Sequence, residues 1–158
     1  MNDPSLPPGR LAGIDYGRRR IGIAICDAER LIASPLAVHE TSGDRAADAR
    51  VFCDLVDREE IAGFVIGLPI HADGRRSEMS AEVERFAGWL TDITGCPAVF
   101  QDERYTSREA AGLLRPARLT RGRKKARHDA VAAQVILSSW LERQAASSPP
   151  PRLEPLDD

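Results

Sequence analysis

Aromatic residues make up only 5% of this 158-residue chain, as two Trp, two Tyr and four Phe. That is too few for an extended base-stacking platform, so any recognition of nucleic acid is expected to read backbone and shape. Cysteine is as sparse. Cys26, Cys53 and Cys96 are odd in number and far apart, which argues against both a disulfide framework and a zinc knuckle and leaves them as small buried apolar residues. Long hydrophobic runs are missing too. The longest, Ile61 to Ile70, is broken by Gly63, Gly67 and Pro69 and falls far short of the roughly 18 residues of a membrane span. Met1 to Arg10 carries an acid and three prolines where a secretory signal would have a basic patch and an apolar segment. The expectation is a cytoplasmic protein without a membrane partner.

What is present describes one soluble globular domain, with 42% apolar and 29% charged residues. The formal net charge of −2 hides a segregation. Arg115 to Arg127 contains seven basic residues and no acid, leaving 15 basic against 24 acidic residues elsewhere. An acidic body thus carries one concentrated basic strip.

Short apolar runs bounded by turn residues predict strands at Leu11 to Tyr16 and Arg20 to Asp27, joined through Gly17, and a third at Leu31 to Val38 with Pro35 at an edge or bulge. From Asp44 the period becomes helical, with Ala49, Phe52, Leu55 and Val56 on one face. Ala62 to Gly67 reads as a buried strand. Met79, Val83, Phe86, Leu90 and Ile93 step by four and three behind a Ser77 cap, the signature of an amphipathic helix. A fifth strand follows at Pro97 to Gln101, then a short helix from a Thr106/Glu109 capping box to Pro116, a basic loop, and a last helix from about His128 to Arg143. In that helix Asp129, Ala132, Ala133, Ile136 and Trp140 share a side, and the small alternating residues Gly22, Ala24 and Cys26 offer it a close-packing surface. Residues 1–9 and the proline-rich residues 144–158 are expected to be disordered around a domain at 10–143. The order predicts an α/β fold with a five-stranded mixed sheet, an antiparallel meander extended by parallel strands and flanked by helices. That is the layout of a ribonuclease-H-like fold.

Ligands of open α/β sheets gather outside the carboxyl ends of the strands. Asp15 closes the first strand, Asp102 and Glu103 follow the fifth, and Asp129 opens the last helix. Oxygen ligands from three elements suit a hard divalent cation, the catalyst of many phosphodiester cleavages. Each acid also has an ordinary structural use: Asp15 in an Asp-Tyr-Gly turn, Glu103 as a partner of Arg104 or Arg108, and Asp129 at the positive end of its helix. Predicted convergence of the three favours a site. His71 and His128 read better as loop and helix-start residues than as proton shuttles.

The stretch Gly13-Ile14-Asp15-Tyr16-Gly17, then Arg20-Ile21-Gly22 and Ala24, resembles the opening signature of the YqgF family, pre-16S rRNA nucleases related to Holliday-junction resolvases. Gly67-Leu68-Pro69 with Gly74, then Asp102-Glu103-Arg104-Tyr105-Thr106-Ser107, and Lys125 with Asp129, Ala132 and Ala133 resemble its later motifs in the same order. The resemblance covers roughly residues 10 to 143, and four ordered motifs are far more specific than one. It implies a catalytic and metal-holding acidic triad of Asp15, Glu103 and Asp129, with Asp102 in reserve and Mg²⁺ or Mn²⁺ as cofactor. Tyr105 departs from the family's usual leucine but leaves two hydroxyls after it. The substrate implied is the 5′ end region of precursor 16S rRNA, as RNA or within a pre-ribosomal particle.

The basic residues Arg118, Arg121, Arg123, Lys124, Lys125 and Arg127, beside Asp129, are expected to hold phosphates, with Arg18, Arg19 and Arg20 of the first turn adding to them. A solvated charge run is the ordinary alternative. Structured DNA such as a four-way junction is the second substrate reading, since fold does not fix substrate. A resolvase needs two active sites, and the sequence shows no strong dimer surface, so a monomer is expected and a homodimer is the alternative. A non-catalytic RNA-binding or transcription-assisting protein is a further class. Gly13 to Gly17 also resembles the first phosphate loop of actin-like ATPases, but those clamp ATP between two such domains and one is present here.

Overall fold

The computed structural model describes residues 6–70, 73–103 and 121–147, the last stretch with its side chains from Asp129 onward. The elements run β1 (Arg10–Asp15), β2 (Arg20–Cys26), β3 (Ala33–Glu40), α1 (Arg45–Glu59), β4 (Ile61–Leu68), α2 (Glu78–Thr94), β5 (Ala98–Asp102) and α3 (Arg121–Ser147). The five strands form one sheet in the order β3-β2-β1-β4-β5. β1 pairs antiparallel with β2 and parallel with β4, β2 antiparallel with β3, and β4 parallel with β5.

Alternation along β1 sorts its side chains between two cores. Ala12 and Ile14 join Ile21, Ile23, Phe64 and Ile66 beneath α1 and α2, where Phe52, Leu55, Val83 and Leu90 are buried. Leu11 lies on the other face with Ala24, Cys26 and Val65, under Ala133, Ile136, Leu137 and Trp140 of α3. The same alternation sends Asp15 to the α3 face and Tyr16 to the α1/α2 face.

Caps define the helices. Asp44 accepts hydrogen bonds from the Ala46 and Ala47 amides at the start of α1, and Ser77 with Ser80 forms a reciprocal capping box at the start of α2. The Met79-to-Ile93 stripe packs as its spacing predicts, with Val83 and Leu90 fully buried and the others partly so. Cys26 and Cys96 are buried thiols, as expected.

β3 begins two residues later than the apolar run. The Asp27 carboxylate takes hydrogen bonds of 2.8 Å from the amides of both Leu31 and Ile32, which closes a turn and leaves those two side chains 76% and 69% exposed. Pro35 sits at a register shift opposite Ala24 on the edge strand. α3 starts at Arg121, so the second half of the expected basic loop is helical; arginine, lysine and alanine are good helix formers, and no proline interrupts 121–147. The structure also differs from the expected disordered flanks. Leu6 is buried over Gly63, the Arg30 guanidinium donates to the carbonyls of Gly9 (2.8 Å) and Pro7, and α3 continues through Ser147. The expected helix from Thr106 to Pro116 lies outside the described residues.

Candidate active site

β1 lies in the middle of the sheet, and a glycine on each neighbouring strand lets an acid approach its end. Across the antiparallel ladder Asp15 pairs with Gly22. A Cβ at Gly22 would overlap the main-chain carbonyl of Asp129, so the missing side chain lets α3 cross β2 in backbone contact and brings Asp129 to the Asp15 face. On β4, Gly67 pairs with Gln101 of β5, and a Cβ there would stand 2.6 Å from Glu103 Oε1. The Glu103 amide donates to the Leu68 carbonyl (3.2 Å) and fixes the turn after β5. Asp102 is the register partner of Leu68.

Asp15, Glu103 and Asp129 are electrostatically coupled. Burial, and then the charges of Glu103 and Asp129, push the Asp15 carboxyl up to about 7. Burial and then the Asp102 charge raise Glu103 as well. Asp129 Oδ2 lies 3.2 Å from Arg20 Nε, but off hydrogen-bond geometry, so this buried oxygen has no hydrogen-bond partner. Among the described residues, no three His, Cys, Asp or Glu side chains are already placed to hold a metal ion. The three acids share one end of the sheet, with Asp129 turned toward Arg20.

One of the expected alternatives can be weighed. Asp129 stands eight residues into α3 and not in its first turn, which removes the helix-dipole explanation. Arg104 and Arg108, the expected partners of Glu103, lie outside the described residues, as do Arg118 and the side chains of Arg121, Arg123, Lys124, Lys125 and Arg127. The first-turn arginines divide their work. Arg20 faces Asp129, Arg18 pairs with Glu82 at 3.0 Å, and the Arg19 carbonyl accepts from the Thr41 amide (2.9 Å). Sequence reasoning grouped these residues as phosphate ligands or exposed hairpin-tip charges. The missed signal is the two-residue period, which puts Arg20 on the face of Asp15 once the hairpin register is known.

Residues 9–143 match the family model described as RuvX, Holliday junction resolvase. The chain belongs to this family. It is 51% identical over 134 residues, covering 85% of its own length and 77% of the relative's, to a Rhodopirellula baltica protein named "Putative pre-16S rRNA nuclease". A Chromobacterium violaceum protein of the same name is 42% identical over 130 residues, 82% of this chain and 94% of that one. Among solved structures, RuvC of T. thermophilus in complex with a Holliday junction substrate superposes with a TM-score of 0.55 at 18% identity, covering 87% of this chain and 97% of that one. The yeast mitochondrial Holliday junction resolvase superposes at 0.53 with 13% identity, covering 91% and 82%. Both likenesses show that this RuvX-family chain shares the resolvase fold.

Proposed function

We propose that this RuvX-family protein is a metal-dependent nuclease that trims the 5′ end region of precursor 16S rRNA, with Asp15, Glu103 and Asp129 as its catalytic acids. The observation that supports the reading is that three acids stand at one end of the sheet, where burial and then the charges of Glu103 and Asp129 push Asp15 up to about 7. Like charges gathered in a half-buried site are unfavourable unless a cation joins them. An all-oxygen donor set fits Mg²⁺ or Mn²⁺, and Asp129 Oδ2, which faces the Arg20 guanidinium without a hydrogen bond, is a buried oxygen whose hydrogen-bonding capacity is unused. Asp15, Glu103 and Asp129 would hold the ion, with Asp102 in reserve. The chemistry such an ion supplies is positive charge opposite the scissile phosphate and a lowered pKa for water.

The chain's own residues do the rest. With no cation bound, burial and the neighbouring charges favour a proton held at the Asp15 carboxylate oxygen, and a bound cation would favour its ionised form. Arg20 holds Asp129 in line. The basic residues of 115–127, which precede Asp129 in the chain, grip phosphates without reading bases.

Two observations favour a second substrate, a DNA four-way junction: the family description and the fold shared with the junction-bound RuvC. The discriminating experiment offers a labelled precursor rRNA 5′ fragment and a labelled four-way junction in parallel, each in Mg²⁺ and in Mn²⁺. Faster metal-dependent cleavage of the RNA is expected. Preferential, symmetric cutting of the junction would replace the RNA reading, and binding of RNA without cutting would favour the non-catalytic class.

A further inference from the structure

Four of the eight aromatic residues gather on the sheet face opposite the acids. Tyr16 follows Asp15 directly and points the other way. Its ring stands 4.8 Å from that of Phe86, which in turn lies 5.7 Å from Trp89, with Phe52 edge-on beneath both. Phe52 is fully buried, whereas Tyr16, Phe86 and Trp89 are only partly covered. They line an open-sided cavity of about 350 Å³ between the ends of β1 and β3, the start of β2, the first half of α1 and the middle of α2. That size lies within the usual range of small-molecule sites.

The polar lining is asymmetric. The carboxylates are already engaged: Glu82 takes the Tyr16 hydroxyl and the Arg18 guanidinium, each at 3.0 Å, and Asp48 takes His39 Nε2 at 2.8 Å and the Ser42 hydroxyl at 3.0 Å. The guanidiniums are not. Arg45 stands 6.0 Å above the Trp89 ring, and Arg85 acts on Tyr16 and Glu82 only through space. Among the described residues, neither arginine has a hydrogen bond or ion pair from its guanidinium. A partly uncovered aromatic floor lined by two guanidiniums without hydrogen bonds or ion pairs, one of them over Trp89, is complementary to a flat aromatic ring that carries an anion.

We propose that this cavity binds one nucleotide unit, its base against Phe86 and Trp89 and its phosphate at Arg45 and Arg85. Its position gives the occupant a source, and here the inference borrows the nucleic-acid reading above. Asp15 and Tyr16 are consecutive, with Cα atoms about 3.8 Å apart, so an unpaired strand end crossing the carboxyl edge of the sheet passes the acids on one face and reaches the cavity on the other. The turn between them is tied to both faces, through Arg20 to Asp129 and through Arg18 to Glu82.

The test is a fluorescence titration of the full chain in a chelator, which separates it from any cleavage chemistry. The probes are AMP, adenosine, ribose 5-phosphate and a single-stranded hexaadenylate. AMP is expected to change Trp89 emission saturably, with adenosine and ribose 5-phosphate each at least about tenfold weaker, and with Trp89→Phe removing the signal. Arg45→Ala and Arg85→Ala change exposed side chains, so both variants should keep their far-UV circular dichroism while losing about tenfold or more in AMP affinity. Tighter binding of the hexamer, lost in the same variants, assigns the nucleotide to a strand; equal affinity assigns it to a free mononucleotide, and either supports the site. The proposal is overturned if neither AMP nor the hexamer gives a saturable change, or if both arginine variants bind as the wild type does. Absence of nuclease activity would leave this result untouched.

Discussion

Asp15 faces two other acids from a position that water reaches poorly, and this sets how the protein responds to pH. Its carboxyl ionises near 7 in the fold, against 3.8 as a free side chain. The native state therefore holds the proton more tightly than the unfolded chain does. Stability falls as pH rises from about 4 to about 7, and the full penalty applies above 7. In a chelator, the stability lost between pH 5 and pH 8 should be smaller for Asp15→Asn than for the wild type, by on the order of 1–3 kcal/mol after allowance for partial solvent access. Thermal melts of both proteins at the two pH values check this. Identical pH dependence would show that Asp15 ionises normally. Adding Mg²⁺ at pH 8 should raise the wild-type midpoint more than that of the variant, because a cation favours the ionised form.

At the scale of elements, two close approaches build the site, and each can be broken by one methyl group. Gly22→Ala sets a Cβ against the Asp129 main-chain carbonyl, which cannot move without α3, so a loss of roughly 1–3 kcal/mol is expected in denaturant unfolding. Gly67→Ala sets a Cβ against the Glu103 carboxylate and against Cδ1 and Cγ1 of buried Ile136. It should displace Glu103 as well as press on the core, so that cleavage compared at matched folded fractions falls by at least about tenfold beyond a stability loss of roughly 1–3 kcal/mol; cleavage that falls only with the folded fraction would show that Glu103 keeps its place.

Most elements were legible because hydrophobic period, turn residues and caps agree, as at Ser77 before the Met79-to-Ile93 stripe. Three features were not. The first turns of α3 carry charge without an apolar stripe, so residues 121–127 looked like a loop even though arginine, lysine and alanine accept a helix. The cavity was hidden because its aromatics come from the turn after β1, from α1 and from α2 and meet only after the sheet forms. The pairing of Arg20 with Asp129 depends on a register that one strand cannot specify. Asp15, Asp102 and Glu103 could be read as acids at strand ends and Asp129 as an acid on the last helix, whereas the charge coupling around Asp15 depends on the two glycines that let neighbouring elements in.

Over the whole molecule, an acidic body is joined to a basic segment that leads into the helix bearing Asp129. If that segment grips phosphates, Lys124→Ala with Lys125→Ala should weaken binding of any RNA sequence and flatten the dependence of log affinity on log salt by about 0.7 to 0.9 per lost contact. An unchanged slope would mark 115–127 as a solvated run.

The account as a whole stands on the acids acting together as a cation-dependent cutting site. Its most direct measurement is the single-turnover cleavage rate of the labelled precursor rRNA 5′ fragment in Mg²⁺, for the wild type and for Asp15→Asn, Glu103→Gln and Asp129→Asn at matched folded fractions. The account predicts metal-dependent cleavage that falls by at least about a hundredfold in each variant, since even residues that only orient a metal's ligands cost tenfold to a hundredfold when removed. Cleavage that persists in all three variants would contradict it.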